Sequence, residues 1–222
     1  MKLDHSIVLL HATPVAIAPI QAAFATDWPE AKLSNLLDDG LTAARGKSRD
    51  LDDALRQRFV RLARYGSETG ANAVLATCSA FGPAIEAADE ALPIPVCKPN
   101  TAMFADALAQ GQSIAMLATF APALPTMVTE FFEEAERSNP GATLSTFLVD
   151  DAIDHLRAGD AATHNRLVAD KAASLHGYDA IMLAHFSTAQ ALDAVTAVAA
   201  CPVFSAPRSA IAHLKRRLGV SC

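Results

Sequence analysis

The stretch Ala73-Val74-Leu75-Ala76-Thr77-Cys78-Ser79-Ala80-Phe81 decides how the rest of the chain reads. Four apolar residues, too few for a helix, run into Thr-Cys-Ser and then Gly82-Pro83, where a proline suits the first turn of a helix. A short apolar run that breaks into a polar turn and then a helix is the β-to-α junction of a parallel sheet. The same rhythm recurs on both sides. Ile7-Val8-Leu9-Leu10, Leu33 to Leu37 and Ile94-Pro95-Val96 are strand-like, and Leu51, Leu55, Phe59 and Leu62 share one face of a helix over about 51–65. Arg56, Arg58, Arg61 and Arg64 lie on its other face and are expected in solvent.

The second half of the chain repeats the first. A shift of 107 residues places Ile7 and Leu10 on Ile114 and Leu117, Ala73-Val74-Leu75 on Ala180-Ile181-Met182, and Pro95-Val96 on Pro202-Val203. With a small insertion, the run from Leu33 to Asp39 resembles the run from Leu144 to Asp151. Four strands in one order, twice, predict an α/β fold of two pseudo-symmetric, flavodoxin-like lobes. Each lobe is expected to hold a mainly four-stranded parallel sheet flanked by helices, lobe 1 being residues 1–98 plus 204–222 and lobe 2 residues 99–203. Parallel sheets bind ligands at the carboxyl ends of their strands, so an active-site cleft is expected between the lobes.

Composition narrows the function. The 222 residues are 51% apolar, enough for a sizeable core, and the net charge is −6 with no basic run longer than Lys215-Arg216-Arg217. Nucleic acid is therefore not an expected partner. Asp4, His5, His11 and Pro14 spoil a signal peptide, and no run of ~18 apolar residues suggests a membrane span, so a cytoplasmic location is expected. Cys78, Cys97, Cys201 and Cys222 show no CxxC spacing, which argues for free thiols and against a zinc site.

The segment from Ala73 to Phe81, with the apolar helix and the Pro93-Ile94-Pro95-Val96 strand after it, resembles the first catalytic-cysteine motif of the aspartate/glutamate (hydantoin) racemase superfamily. The resemblance extends to a first strand with a polar turn at His11-Ala12-Thr13, a second-lobe strand ending at Thr119, and the late strand Ile181 to Ala184. It implies two lobes, no cofactor, and proton transfer at the α-carbon of a small carboxylate or amino acid; the residue spacing itself offers no metal site. The departure from the family is at the second cysteine, where this chain reads Leu183-Ala184-His185-Phe186-Ser187-Thr188. The 107-residue shift sets His185 opposite Cys78, whereas the shared pattern Leu-Ala-x-x-Ser sets Phe186 there. Cys201 lies ahead of a strand, at the wrong end to replace the missing cysteine.

A thiol just before a helix start feels the N-terminal end of the helix dipole, which favours the thiolate and suits Cys78 to act as base or nucleophile. His185 could serve as the opposing acid, because an imidazole titrates near neutrality, or it could bind the substrate carboxylate. If Phe186 fills that position instead, the face is apolar and the chemistry one-sided. The turns holding His11, Thr13, Ser79, Ala80, Thr119, Ser187 and Thr188 offer hydroxyl and backbone N–H groups suited to a carboxylate. Asp38-Asp39 and Asp150-Asp151 are read as helix N-caps rather than as an acid/base pair. His155, His164 and His176 are read as surface residues, and Cys97 and Cys222 as thiols without a catalytic role.

Three functions are compatible with these residues: a cofactor-independent racemase or isomerase, a one-cysteine decarboxylase of the arylmalonate type or cis/trans isomerase, and a carboxylate-binding protein without turnover. Nothing in the sequence selects the substrate or the oligomeric state.

Overall fold

A computed structural model of the chain describes residues 5–45, 51–121 and 124–220. They form two compact units, the first reaching to Pro99 and resuming at Ala210, the second running from Asn100 to Ser209. The second boundary was expected after Val203. It falls later because the strand Val203–Ser205 pairs along its whole length with a strand of unit 2.

Unit 1 contains, in chain order, β1 (Ser6–His11), α1 (Ile17–Asp27), β2 (Lys32–Leu37), α2 (Gly40–Arg45), α3 (Asp53–Glu68), β3 (Ala73–Ala76), α4 (Gly82–Ala91) and β4 (Val96–Cys97). Its sheet is parallel, in the order β2-β1-β3-β4. Unit 2 follows with α5 (Thr101–Leu108), β5 (Ser113–Ala118), α6 (Leu124–Ser138), β6 (Thr143–Leu148), α7 (Ala152–Arg157), α8 (Ala161–Ala173), β7 (Ala180–Leu183), α9 (His185–Thr188), α10 (Leu192–Thr196) and β8 (Val203–Ser205). Its sheet has the matching order β6-β5-β7-β8. The last helix, α11 (Ala206–Arg217), begins in unit 2 and continues into the closing segment of unit 1.

The repeat holds down to register. Ile7 is level with Ala73 as Ile114 is with Ala180, and Ser6 with Lys32 as Ser113 with Thr143. The two prolines that the repeat superimposes stand just ahead of β4 and β8, where the missing N–H does no harm. Their carbonyls still serve the sheet, accepting from Val74 N at 2.8 Å at Pro95 and from Ile181 N at 3.0 Å at Pro202.

The central strands are the apolar ones. Every residue of β3 and β7 is fully buried, which is why both read as unbroken apolar runs, while the edge strands β2 and β6 carry polar residues on their open side. In unit 1 the layer over the sheet is built by α3 and α4, with Phe59 and Phe81 stacked at 5.3 Å. Truncating a buried phenylalanine of this kind costs about 3–5 kcal/mol. Gly66 belongs to the same contact, since a Cβ there would stand 3.1 Å from Val8 Cγ1.

Helix α3 begins later than the 51–65 expected, because Asp52 caps it by accepting from Leu55 N at 2.7 Å. Arg58 is not the purely solvated residue expected from its face. Its guanidinium grips both oxygens of Asp38, at 2.8 and 2.6 Å. No described helix is long and apolar enough to cross a membrane.

Candidate active site

In unit 1 the candidate residues gather at the carboxyl ends of β1, β2 and β3. The strand ends at Ala76, and two residues on, Cys78, on extended backbone (φ −134°, ψ 120°), caps a single 3-10 turn, Ser79–Phe81, that leads straight into α4. Phe81 is buried in the core and anchors that turn, leaving Cys78, Ser79 and Ala80 half-buried above it. Gly82 and Pro83 open α4, the place the sequence assigns them. The Ala80 carbonyl accepts from Arg45 Nε at 3.3 Å. Thr13, half-buried, caps the 3-10 turn Pro14–Ala16 without a side-chain hydrogen bond, so its hydroxyl is not committed to the cap.

His11 differs from the expectation. It was assigned to the substrate, yet it has no exposed surface and both ring nitrogens have protein partners: Nδ1 lies 2.9 Å from Thr77 Oγ1 and Nε2 lies 3.0 Å from Asn35 Oδ1. With a carbonyl oxygen at Asn35, Nε2 carries the hydrogen and Nδ1 accepts from the Thr77 hydroxyl. Burial lowers the pKa of His11, against a smaller upward pull from the Asn35 hydrogen bond. The ring is therefore neutral at pH 7 and, from the end of β1, links β2 at Asn35 to the residue that follows β3.

In unit 2 the corresponding strand ends carry His185, Thr119 and Thr188. By strand register His185 is the counterpart of Cys78, each standing two residues past the end of its strand. The local backbone differs: Ala184 is the extended residue, and His185 opens α9 at φ +66°. A side chain in this left-handed region is strained by about 1–2 kcal/mol. The residue is half-buried, but its Nε2 is fully buried and has no hydrogen-bond partner. Desolvation lowers the imidazole to about 4, so it is neutral at pH 7 in the unliganded chain. Phe186 is buried, at 8% exposure. Thr119 and Thr188 are also buried and share a hydrogen bond of 3.1 Å, while Ser187 is half-buried beside them.

Of the acidic pairs expected to cap helices, two residues are seen in distinct roles. Asp38 is held by Arg58, and Asp151 occupies the N-cap of α7 at φ +60° without a side-chain hydrogen bond. Among the described helix caps, Asp52 and Asp160 have hydrogen-bonded side chains, the latter accepting from Thr163 N at 3.0 Å. Of the histidines expected at the surface, His176 is exposed and His155 lies 3.5 Å from Asp160. His164 is instead fully buried, with Nδ1 2.8 Å from Asn165 Oδ1 and Nε2 unpartnered. It sits on the inner face of α8 with Val168 and Ala172, a helical spacing that places it inward despite its polarity.

Cys97 is buried in β4 near Arg217 and Asp89, and desolvation pushes its thiol up to about 11. Cys201 stands ahead of β8, and burial, with Asp179 nearby, raises it too. Cys222 lies outside the described residues. Among those described, no three His, Cys, Asp or Glu side chains converge to hold a metal.

Sequence reading missed Asn35, Arg45 and Arg157. Asn35 could have been noticed as a polar residue within a strand predicted to pair with the one that ends in His11. Arg45 and Arg157 carry no local signal, since only the fold brings Arg45 to the Ala80 carbonyl and Arg157 over the Phe120 ring, 5.9 Å from its centroid.

No protein-family model matches this sequence, and no curated protein matches it either. Solved structures do match. A glycine-to-cysteine mutant of arylmalonate decarboxylase in a sulfate-associated form superposes with a TM-score of 0.72 at 19% identity, over 98% of this chain and 94% of that one. Glutamate racemase from Francisella tularensis subsp. tularensis SCHU S4, in complex with D-glutamate, gives 0.68 at 15% identity over 97% and 81%. Picrophilus torridus aspartate racemase gives 0.66 at 12% identity over 97% and 94%. With two parallel four-stranded sheets of the same order and matches along nearly its whole length, this chain has the fold of the aspartate/glutamate racemase superfamily.

Proposed function

We propose that this chain is a cofactor-independent racemase or isomerase that moves a proton at the α-carbon of a small carboxylate or amino acid, with Cys78 as the base. One observation carries the proposal. Among the described cysteines, only Cys78 lies past the carboxyl end of a strand with its residue open to solvent, on a fold whose solved examples include racemases. A thiolate there takes the α-proton and leaves an enolate. His185 returns a proton to the opposite face, and the hydroxyls of Thr13, Ser79, Ser187 and the Thr119–Thr188 pair, with the backbone at Ala80, hold the carboxylate. His185 must be an imidazolium to do this, and the negative charge of a bound carboxylate works against the desolvation that keeps it neutral in the unliganded chain.

That neutrality favours a second function, chemistry at Cys78 alone. Loss of carbon dioxide from a malonate leaves an enolate that the Cys78 thiol protonates from one side, with no imidazolium needed. Incubating the protein in D2O with glutamate, aspartate, a 5-substituted hydantoin and an arylmalonate separates the two. Deuterium at the α-carbon with loss of optical activity supports the racemase, and carbon dioxide release supports the decarboxylase. Binding of these compounds without exchange or release would leave a carboxylate-binding protein and overturn the enzyme.

A further inference from the structure

We propose that His11 is a positioning residue for Cys78, acting through the hydroxyl of Thr77. The two units offer an internal control. By strand register, His11, Thr77 and Cys78 correspond to Ala118, Ala184 and His185, and Asn35 to Thr146. The fold closes the same three strand ends in unit 2 with two alanines, so it does not require a buried imidazole there. Unit 1 nevertheless buries one completely and matches both nitrogens. What unit 1 has at this junction, and unit 2 lacks, is the thiol.

The hydrogen bonds give the means. Thr77 is tied to β1 twice, its N–H donating to the Leu10 carbonyl at 3.0 Å and its hydroxyl to His11 Nδ1 at 2.9 Å. The Leu10 carbonyl is also an available acceptor for that hydroxyl, but at 3.4 Å, so the imidazole sets the Thr77 rotamer. Asn35, holding the hydrogen on Nε2, fixes the tautomer that makes Nδ1 an acceptor. The next residue along the chain is Cys78. A threonine clamped at backbone and side chain defines the direction in which the following extended residue projects its sulfur, as supporting shells do for reactive groups generally.

The inference rests on Cys78 being the reactive group, and its test needs no substrate. Iodoacetamide labelling of Cys78, followed by peptide mass spectrometry with Cys201 as internal reference, is compared in wild type, Thr77→Val, Thr77→Ser, His11→Phe and the Thr77→Val/His11→Phe double variant. Thr77→Val and His11→Phe each slow labelling of Cys78 several-fold without moving Cys201. The double variant is no slower than either single one, because both cut the same link. Thr77→Ser, which restores the hydroxyl, recovers most of the lost rate. Labelling within about twofold of wild type in folded Thr77→Val, or additive losses in the double variant, overturns the proposal. Should the buried variants fail to fold, Asn35→Ala decides instead: Asn35 is exposed, its loss frees the tautomer, and an unchanged Cys78 rate counts against the proposal. An absence of α-deuterium exchange in the wild type, with the labelling pattern intact, would remove the enzymatic function and leave the positioning role standing.

Discussion

The junctions after β3 and β7 start from the same frame and end with opposite chemistry. After β3, Cys78 sits on relaxed extended backbone, with the hydrogen-bonded His11–Thr77–Asn35 group beneath it. After β7, His185 sits on left-handed backbone, its Nε2 buried and unpartnered and its pKa lowered to about 4. Strain and an unmatched polar atom at one position are costs that packing alone does not explain. They are the kind of feature that collects at functional sites.

The largest expected effect of breaking this contrast is at His185. In the His185→Ala variant, net racemisation falls by a factor of about a hundred or more, whereas α-proton exchange with solvent from the Cys78 face continues. Chiral analysis and deuterium NMR on one sample read both. Loss of both would assign His185 to substrate binding, and retention of both would exclude it from the proton path.

The pH dependence of stability comes next. His185 has a folded pKa of about 4 against an ordinary value of 6.5, so between these values the unfolded chain binds a proton that the folded chain does not. Stability from this group is complete above pH 6.5 and declines as pH falls through the window, by about 3 kcal/mol in all. Burial of neutral His11 adds a change of the same sign. Urea midpoints at pH 7 and pH 4.5 should therefore differ more in wild type than in His185→Ala. Equal differences would mean that the imidazole is not desolvated.

Strain at His185 is a smaller effect. His185→Gly and His185→Ala both remove the ring, but only glycine is at ease at φ +66°, so the glycine variant should be the more stable by about 1 kcal/mol. An alanine variant equal or better in thermal melts would show that the turn relaxes. Smallest of all is Arg58→Ala, which removes a partly exposed bidentate pair with Asp38 and should cost less than about 1 kcal/mol, without change in α-proton exchange. A measurable loss of exchange would bring Asp38 into the site.

The strands and the repeat were legible in the sequence because β3 and β7 are buried on both faces and leave unbroken apolar runs. The β-to-α turn at Cys78 was legible for a similar reason, since Gly82 and Pro83 mark where α4 must start. What the strand ends do with their polar residues was not. His11 reads as an exposed turn residue until β2 and β3 are set on either side of β1, bringing Asn35 and Thr77 to its two nitrogens. His164 and Arg58 were misread in opposite directions: one is drawn inward by its place on α8, the other is drawn out of bulk solvent by Asp38 at the end of β2. The left-handed backbone at His185 has no signature at all, because nothing in Leu-Ala-His-Phe demands a positive φ.

Cys78 as the base that removes the α-proton is tested most directly by following deuterium incorporation from D2O with three single variants, Cys78→Ala, Cys97→Ala and Cys201→Ala, beside the wild type. Cys97 is buried with its thiol pushed up to about 11, and Cys201 lies at the opposite end of its strand from the candidate site, so both variants should exchange at rates close to wild type. Cys78→Ala, folded by circular dichroism and thermal melting, should show none. Exchange that survives in Cys78→Ala, or that disappears equally in a folded Cys97→Ala or Cys201→Ala, would contradict the assignment.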